Sequence, residues 1–288
     1  MRMEKIAAVV VLYNPVEIET FENILSYSKY IEELYIIDNS PTATTYIKDN
    51  QQKLHSNAYF FHDGNNEGMA KRLNFAANLA IEHNCTWLLT MDQDSNFRNE
   101  SFKTYLNLFN DYPKENVGAF CINYWTENFP ISDGAVSVLS TITSGSMVNM
   151  RLFPSIGNYD EDLFLDLIDA DFSYKIINKG YKIIQFRNLV LEHPLGYIKY
   201  GRSFKTFKKT PRVLHSPIRV YYIVRNCLFL LYKSPTLPKA ARPEIWKCFW
   251  MIKNNILYHD NRLKVILNII RGFIDFSRNK MGKFSYKY

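Results

Sequence analysis

Residues 86–95, TWLLTMDQDS, end an apolar run in two carboxylates one residue apart, Asp92 and Asp94. In an extended strand, residues i and i+2 point the same way, so this spacing aims both acids at one small volume. Like charges that close repel unless a cation or a proton stands between them. Taken alone, the stretch fits an ordinary polar turn better than a divalent-metal site. Its neighbours carry more. KIAAVVVLYNP (5–15) is a second apolar run, closed by the turn signal Asn-Pro, and ELYIIDNS (33–40) and AYFFHDG (58–64) are two more. Between them, 16–31 spaces Ile18, Phe21, Ile24 and Leu25 as one helix face, and NNEGMAKRLNFAANLAIEHN (65–84) opens an Ala/Leu-rich helix. Strands alternating with helices predict an α/β fold with a mostly parallel, Rossmann-like sheet flanked by helices. Such sheets bind ligands beyond the carboxyl ends of their strands. Asn14, Asp38, Asn66 and the Asp92/Asp94 pair all follow strands.

Further along, 116–125 and 135–150 read as apolar segments, the second containing Ser144-Gly145-Ser146. An acidic stretch leads into a helix over 158–180, and 181–196 reads as a strand pair ending at His193. Helices are expected near 217–232, 243–258 and 262–277. No internal repeat or low-complexity linker is visible.

Of the 35 Lys and Arg, residues 199–288 hold 20, with only 3 of the 28 Asp and Glu, a net +17; residues 1–198 carry −10. The split predicts a catalytic domain over 1–198 and a basic, aromatic helical extension over 199–288 that faces an anionic partner. Cys85, Cys121, Cys227 and Cys248 share no metal-ligand spacing and read as reduced thiols of a cytoplasmic protein. The apolar start lacks a small-residue cleavage site and reads as a strand, not a signal peptide. No run of eighteen apolar residues predicts a membrane span.

Within the acidic stretch, Asp166 and Asp169 stand at i and i+3, sharing a face if the segment is helical there. A carboxylate beside apolar Leu163, Phe164, Leu167 and Phe172 is partly desolvated and can act as a general base. Acids at a helix start also complement the helix dipole with no catalytic role. His193 gains meaning only if the fold brings it to Asp92 and Asp94, where imidazole plus carboxylates suits Mn²⁺. Lys71 and Arg72 open a helix whose free N–H groups attract anions, a weak signal without a P-loop or G-x-G-x-x-G.

Set in order, VVVLYNP, IIDNS, NNEGMAKRLNFA, LLTMDQDS, SGSMVN, NYDEDLFLDLIDADFSYKIINKGYKI and LEHPLG resemble the inverting glycosyltransferases of family 2, with the GT-A nucleotide-sugar fold. SPIRVYYIVRN (216–226) is similar to a helix of the rhamnosyltransferase-like branch that builds bacterial surface polysaccharides. The resemblance implies donor contacts at Leu12, Tyr13, Asn14, Asp38, Asn66, Lys71, Asp92, Gln93, Asp94 and Arg225, the last neutralising the diphosphate. It implies Mn²⁺ or Mg²⁺ at Asp92, Asp94 and His193, and acceptor contacts at Ser144, Gly145 and Asp166. Asp169 aligns with the family's general base, but Ile168 replaces the usual preceding Glu, which leaves Asp166, Asp169 and Asp171 in contention.

The reaction so implied is metal-dependent transfer of L-rhamnose from dTDP-L-rhamnose to a hydroxyl of a lipid-linked saccharide. A UDP-hexose or galactofuranose donor is the alternative within the family, and a metal-dependent nucleotidyltransferase the rival outside it. A nucleic-acid partner would explain the basic extension but not the acids at the strand ends, so none is expected. In RLKVILNIIRGFIDFSRNK, Leu263, Ile266, Leu267, Ile270, Phe273 and Ile274 form one helical stripe among basic residues. That pattern fits an enzyme peripheral on the inner face of the cell membrane, a homodimer contact, or packing on the catalytic domain.

Overall fold

The computed structural model describes residues 4–54, 57–124, 134–194, 196–203 and 207–285. Strands and helices alternate through β1 (Ile6–Leu12), α1 (Glu17–Ser28), β2 (Glu33–Asp38), α2 (Thr45–Asn50), β3 (Asn57–His62), α3 (Met69–Glu82), β4 (Trp87–Asp92) and α4 (Ser101–Asp111). Next come β5 (Val117–Tyr124), β6 (Ala135–Val138), β7 (Ser146–Asn149), α5 (Phe153–Ile156), α6 (Ile168–Asn178) and β8 (Lys182–Leu191). A hairpin of β9 (Tyr197–Arg202) and β10 (Lys209–Leu214) leads to three helices, α7 (Pro217–Tyr232), α8 (Arg242–Tyr258) and α9 (Arg262–Ser277).

Eight strands form one sheet in the order β3-β2-β1-β4-β7-β5-β8-β6, and only β6 and β7 run against the rest. Every residue of β1 is buried, because side chains on both faces meet helices. Ala8, Val10 and Leu12 join Leu89 and Met91 under α1 and α4, where Phe21, Ile24, Phe102 and Tyr105 pack. Ala7, Val9 and Val11 face the other way, onto Ala70, Leu73 and Ala77 of α3 and Phe172 of α6. The register pairs Leu12 with Asp38 and Val11 with Asp92, so β1, β2 and β4 end at one edge.

Three expectations need correction. The 181–196 segment is one ten-residue strand, not a pair, with register shifts against β5 where a bulge bends it. The 135–150 segment splits into β6 and β7, because Ser140–Gly145 leave the sheet and turn back under Asp92. Asp166 and Asp169 do not share a helix face: Phe164, Asp166 and Leu167 all take positive φ, and α6 begins only at Ile168. Part of the expected strand at 116–125 (residue 125) and part of the 181–196 stretch (residue 195) lie outside the described residues. The boundary drawn at 198/199 falls inside β9.

Among the described residues no helix is long and apolar enough to cross a membrane. The four cysteines are free and buried. Helices α7, α8 and α9 share a core of their own around Val220, Val224, Leu230, Ile245 and Val265, to which Tyr174 of α6 also belongs. Side chains of α7 pin the acidic loop. Asn226 Nδ2 donates to the carbonyls of Leu163, Leu165 and Asp166 at 2.7–2.9 Å, and both residues 225 and 226 are fully buried. That anchoring holds three left-handed, non-glycine residues in place beside the sheet edge, where such strain marks functional loops.

Candidate active site

The ends of β1 and β4 are tied together by the amide between the two acids. Gln93 Oε1 accepts from Tyr13 N at 2.7 Å and its Nε2 donates to Tyr13 O at 3.3 Å, while Asn23 holds Gln93 O. Asn14, in the left-handed region at φ 45°, donates its N–H to Ser40 Oγ. Ser144 lies beneath, its hydroxyl accepting from Asp92 N at 3.1 Å, and neighbouring Gly145 takes φ +76° against Leu191 and Ile122. Thus Gln93, Ser144 and Gly145 act here as struts that fix the backbone carrying Asp92 and Asp94.

His193 arrives because the chain after β8 pairs with the chain after β4: Asn96 and Glu192 exchange both backbone hydrogen bonds. Its Nδ1 then lies 3.8 Å from Asp92 Oδ2 and 3.8 Å from Asp94 Oδ1, and 2.8 Å from Ser95 Oγ. One ligand atom from each of Asp92, Asp94 and His193 falls within 4.8 Å of the others, among the described residues the one cluster of this kind. Burial first, then the Asp94 charge, pushes the Asp92 carboxyl up to about 7. Burial also raises Asp94, against the His193 ring, and lowers His193, against Asp94. Two hard carboxylates and an imidazole suit Mn²⁺ or Mg²⁺, and a cation there would relieve the repulsion that raises Asp92. The residues present fit the ion.

The three rival carboxylates differ in their partners. Asp166 is held by Arg219, whose Nη2 lies 2.5 Å from Oδ1. Asp171 is buried, accepts from Thr236 Oγ1 at 2.6 Å and pairs with Lys175 at 2.9 Å. Asp169 has no ion-pair partner among the described residues; only Ala170 N donates to its Oδ1, at 2.8 Å. Burial, with the charges of Asp92 and Asp166 added, lifts its carboxyl to about 6. It lines a cavity of about 420 Å³ together with Asn123, Tyr124, Thr141, Glu244 and Lys247.

A second cavity, about 280 Å³, opens beside the register partner of Asp92, with Val11, Tyr13, Asn39, Asn66, Phe164 and Tyr222 on its walls. Gly68 permits it: at φ +83° a Cβ there would stand 2.7 Å from Phe164 O. The remaining residues singled out from the sequence fall elsewhere. Leu12 is a core side chain of β1. Asp38 is fully buried and its two oxygens accept from Ser40 N and Thr44 N, while its neighbour Asn39 reaches the cavity and donates to Asn66 Oδ1. Lys71 is exposed and paired with Glu67.

Arg225 needs correction. Its guanidinium is fully buried and gives five hydrogen bonds, to Asn226, the Tyr221 hydroxyl and the carbonyls of Asp162, Leu163 and Gly282. A guanidinium has five N–H donors, so none remains for a diphosphate. The cation facing the acids is Arg219, six residues earlier, coupled above all to Asp166 and more weakly to Asp92 and Asp169. Sequence reasoning missed it, although it stands in the same IRVYYIVRN run.

A family model described as "Glycosyl transferase family 2" matches residues 9–156, just over half of the chain. A curated relative, "dTDP-rhamnosyl transferase RfbF" of Shigella flexneri, is 29% identical over 93% of this chain and 96% of its own length. Among solved structures, S. aureus TarS 1–349 in complex with UDP-GlcNAc aligns with TM-score 0.58 and 15% identity, over 94% of this chain and 80% of its own. The chain spans 49% of a longer TarS structure. Mannosyltransferase PcManGT from Pyrobaculum calidifontis, in complex with GDP-Man and Mn²⁺, aligns with TM-score 0.57 and 13% identity, over 96% and 88%. These structures share the GT-A fold with this chain.

Proposed function

The chain belongs to glycosyl transferase family 2, and from that premise we propose that it is a metal-dependent, inverting rhamnosyltransferase. It moves L-rhamnose from dTDP-L-rhamnose to a hydroxyl of a lipid-linked saccharide in surface-polysaccharide synthesis. The observation that carries the chemistry is the convergence of Asp92, Asp94 and His193 at the strand ends, beside an Asp169 that lines a separate cavity. The choice of donor rests on the likeness to RfbF along nearly the whole of both chains.

Asp169 takes the proton of the acceptor hydroxyl as its oxygen bonds to the anomeric carbon. The bond from that carbon to the nucleoside diphosphate breaks on the opposite face, which inverts the configuration. A carboxyl lifted to about 6 stays ionised at neutral pH yet is a stronger base than an exposed Asp. Mn²⁺ or Mg²⁺ at Asp92, Asp94 and His193 would act as a Lewis acid on the charge that gathers on the departing diphosphate. The 420 Å³ cavity holds the acceptor, and Arg219 keeps Asp166 from competing as base.

Thermal-shift screening with Mn²⁺ and a panel of nucleotide sugars tests the donor. dTDP-L-rhamnose at a hundred times its Kd should stabilise the fold by about 2.7 kcal/mol. A larger shift with a UDP-hexose or UDP-galactofuranose would replace the donor. In turnover, release of inorganic diphosphate in place of dTDP would favour a nucleotidyltransferase.

Membrane association is supported by an inversion in α9. Its inward side is Val265, Asn268, Gly272 and Asp275, with Gly272 letting the helix approach Tyr221 O and Asp275 accepting from the Tyr221 hydroxyl at 2.8 Å. Of its apolar stripe, Leu263, Ile266, Leu267, Ile270 and Phe273 are 40–78% exposed and Ile274 is half-buried, and Trp246 and Trp250 of α8 are exposed too. Most of the stripe is thus left open to a membrane surface. Lys and Arg around it favour an anionic bilayer, each adding about 1 kcal/mol near the lipid. Flotation with phosphatidylglycerol vesicles should carry the protein upward, and Leu267→Glu with Ile270→Glu should leave it in the soluble fraction. Flotation unaffected by both charges would remove this face from the membrane contact.

A further inference from the structure

The 280 Å³ cavity has a wall that no motif foretold. After α9 the chain doubles back across the catalytic domain, and Lys283 and Phe284 line the cavity with Tyr13, Asn39 and Asn66, more than two hundred residues earlier. The return is anchored. Gly282 N donates to Asp162 O at 2.7 Å, Arg225 Nη1 donates to Gly282 O at 2.6 Å, and Phe284 N donates to the Tyr222 hydroxyl at 2.8 Å. Lys283 is exposed, and its Nζ donates to Asn66 O at 2.9 Å, at the mouth of α3. The Phe284 ring packs edge-on to Tyr221, centroids 4.7 Å apart, and Tyr222 in turn stacks on Phe164 at 5.3 Å. The saturated Arg225 thus has a purpose: it ties the returning segment and the acidic loop to α7 at one point.

We propose that Lys283 and Phe284 complete the donor site, Phe284 as an aromatic face for the nucleoside and Lys283 as a cation for its diphosphate. The proposal rests on the glycosyltransferase reading above. The geometry orients the donor: Val11, on the cavity wall, is the register partner of Asp92. A nucleotide sugar with its diphosphate at Asp92, Asp94 and His193 therefore has its nucleoside end directed along this edge into the cavity. The cavity offers aromatic rings and amides but, in its lining, no carboxylate, which suits a planar base next to an anion. A base stacks on an aromatic ring without demanding one sequence of donors and acceptors, and an ammonium serves phosphate as a point charge. The two residues bring both chemistries from a segment outside the stretch that the family model matches, residues 9–156.

Isothermal titration of dTDP, with Mn²⁺ present, into the full-length protein and its variants tests this. Phe284→Leu keeps apolar bulk and loses the ring face; it should weaken dTDP roughly tenfold or more. Lys283→Met removes only an exposed charge, and should weaken dTDP about tenfold, with Lys283→Arg restoring most of the loss. Wild-type binding of dTDP together with Kd values within twofold for both Lys283→Met and Phe284→Leu would overturn the proposal and leave the glycosyltransferase reading intact. So would an unchanged donor Kd with a raised acceptor KM. A wild-type protein that binds no nucleoside diphosphate under any metal condition would instead sink the reading on which the proposal rests.

Discussion

Asp169→Asn should bind the donor with near-normal affinity and turn over roughly 10²–10⁴-fold more slowly, the range that general-base help supplies. The carboxamide matches the carboxylate in shape and can still accept from Ala170 N, so the loop stays in place. What it loses is the basic oxygen. In the wild type, kcat/KM should rise with pH through an ionisation near 6, because the base must be deprotonated and burial, with the charges of Asp92 and Asp166, holds it there. A cation bound beside Asp92 would offset part of that push and move the limb downward. The same shift makes the charge costly to the fold. A carboxyl whose folded value exceeds its unfolded one contributes stability that is present at low pH and lost as pH rises through about 6. Asp169→Asn should therefore also raise the melting temperature at pH 7.5, by at most about 3 kcal/mol of stability. Near-normal turnover in this variant, or a pH profile without the acidic limb, would move the base elsewhere.

Asp94→Ala should abolish the Mn²⁺-dependent part of donor binding. Removing a supporting partner of a metal ligand commonly costs 10–100-fold, so loss of one ligand in three should cost at least about a hundredfold. The remaining pair changes as well. Without the Asp94 charge, one of the two causes that raise Asp92 disappears, and its carboxyl falls back toward the ordinary range. Calorimetry of Mn²⁺ alone separates this from a general disturbance: wild type should bind the ion weakly, the variant far more weakly, with unchanged melting in chelator. Equal donor affinity for both proteins in Mn²⁺ would reject the metal role.

The parts of the fold that were legible in the sequence were those written over short spans. β1, β2 and β4 announce themselves as apolar runs closed by Asn or Asp, and α7, α8 and α9 lie within a residue of the expected bounds. Helix α4 was missed although Phe102, Tyr105 and Phe109 share its buried face. The β9–β10 hairpin was missed as well, since its exposed Tyr197, Ile198 and Tyr200 show no buried alternation. The acidic stretch misled because i, i+3 spacing says nothing where three of four residues, Phe164, Asp166 and Leu167, take positive φ just before the helix begins.

By itself the sequence determined the alternating layers, the acids at the strand ends and the family, because periodicity and motif order are properties of neighbouring residues. Only the tertiary structure showed that Asp166 and Asp171 carry ion pairs while Asp169, among the described residues, carries none, that Arg219 and not Arg225 faces the acids, and that α9 turns much of its apolar side outward. It also brought His193 to Ser95 across 98 residues, and Lys283 to Asn66 across 217. The reason is physical: a side chain's charge state and its spare hydrogen-bonding capacity depend on what surrounds it in space. Those surroundings come from segments whose separation along the chain no local pattern records.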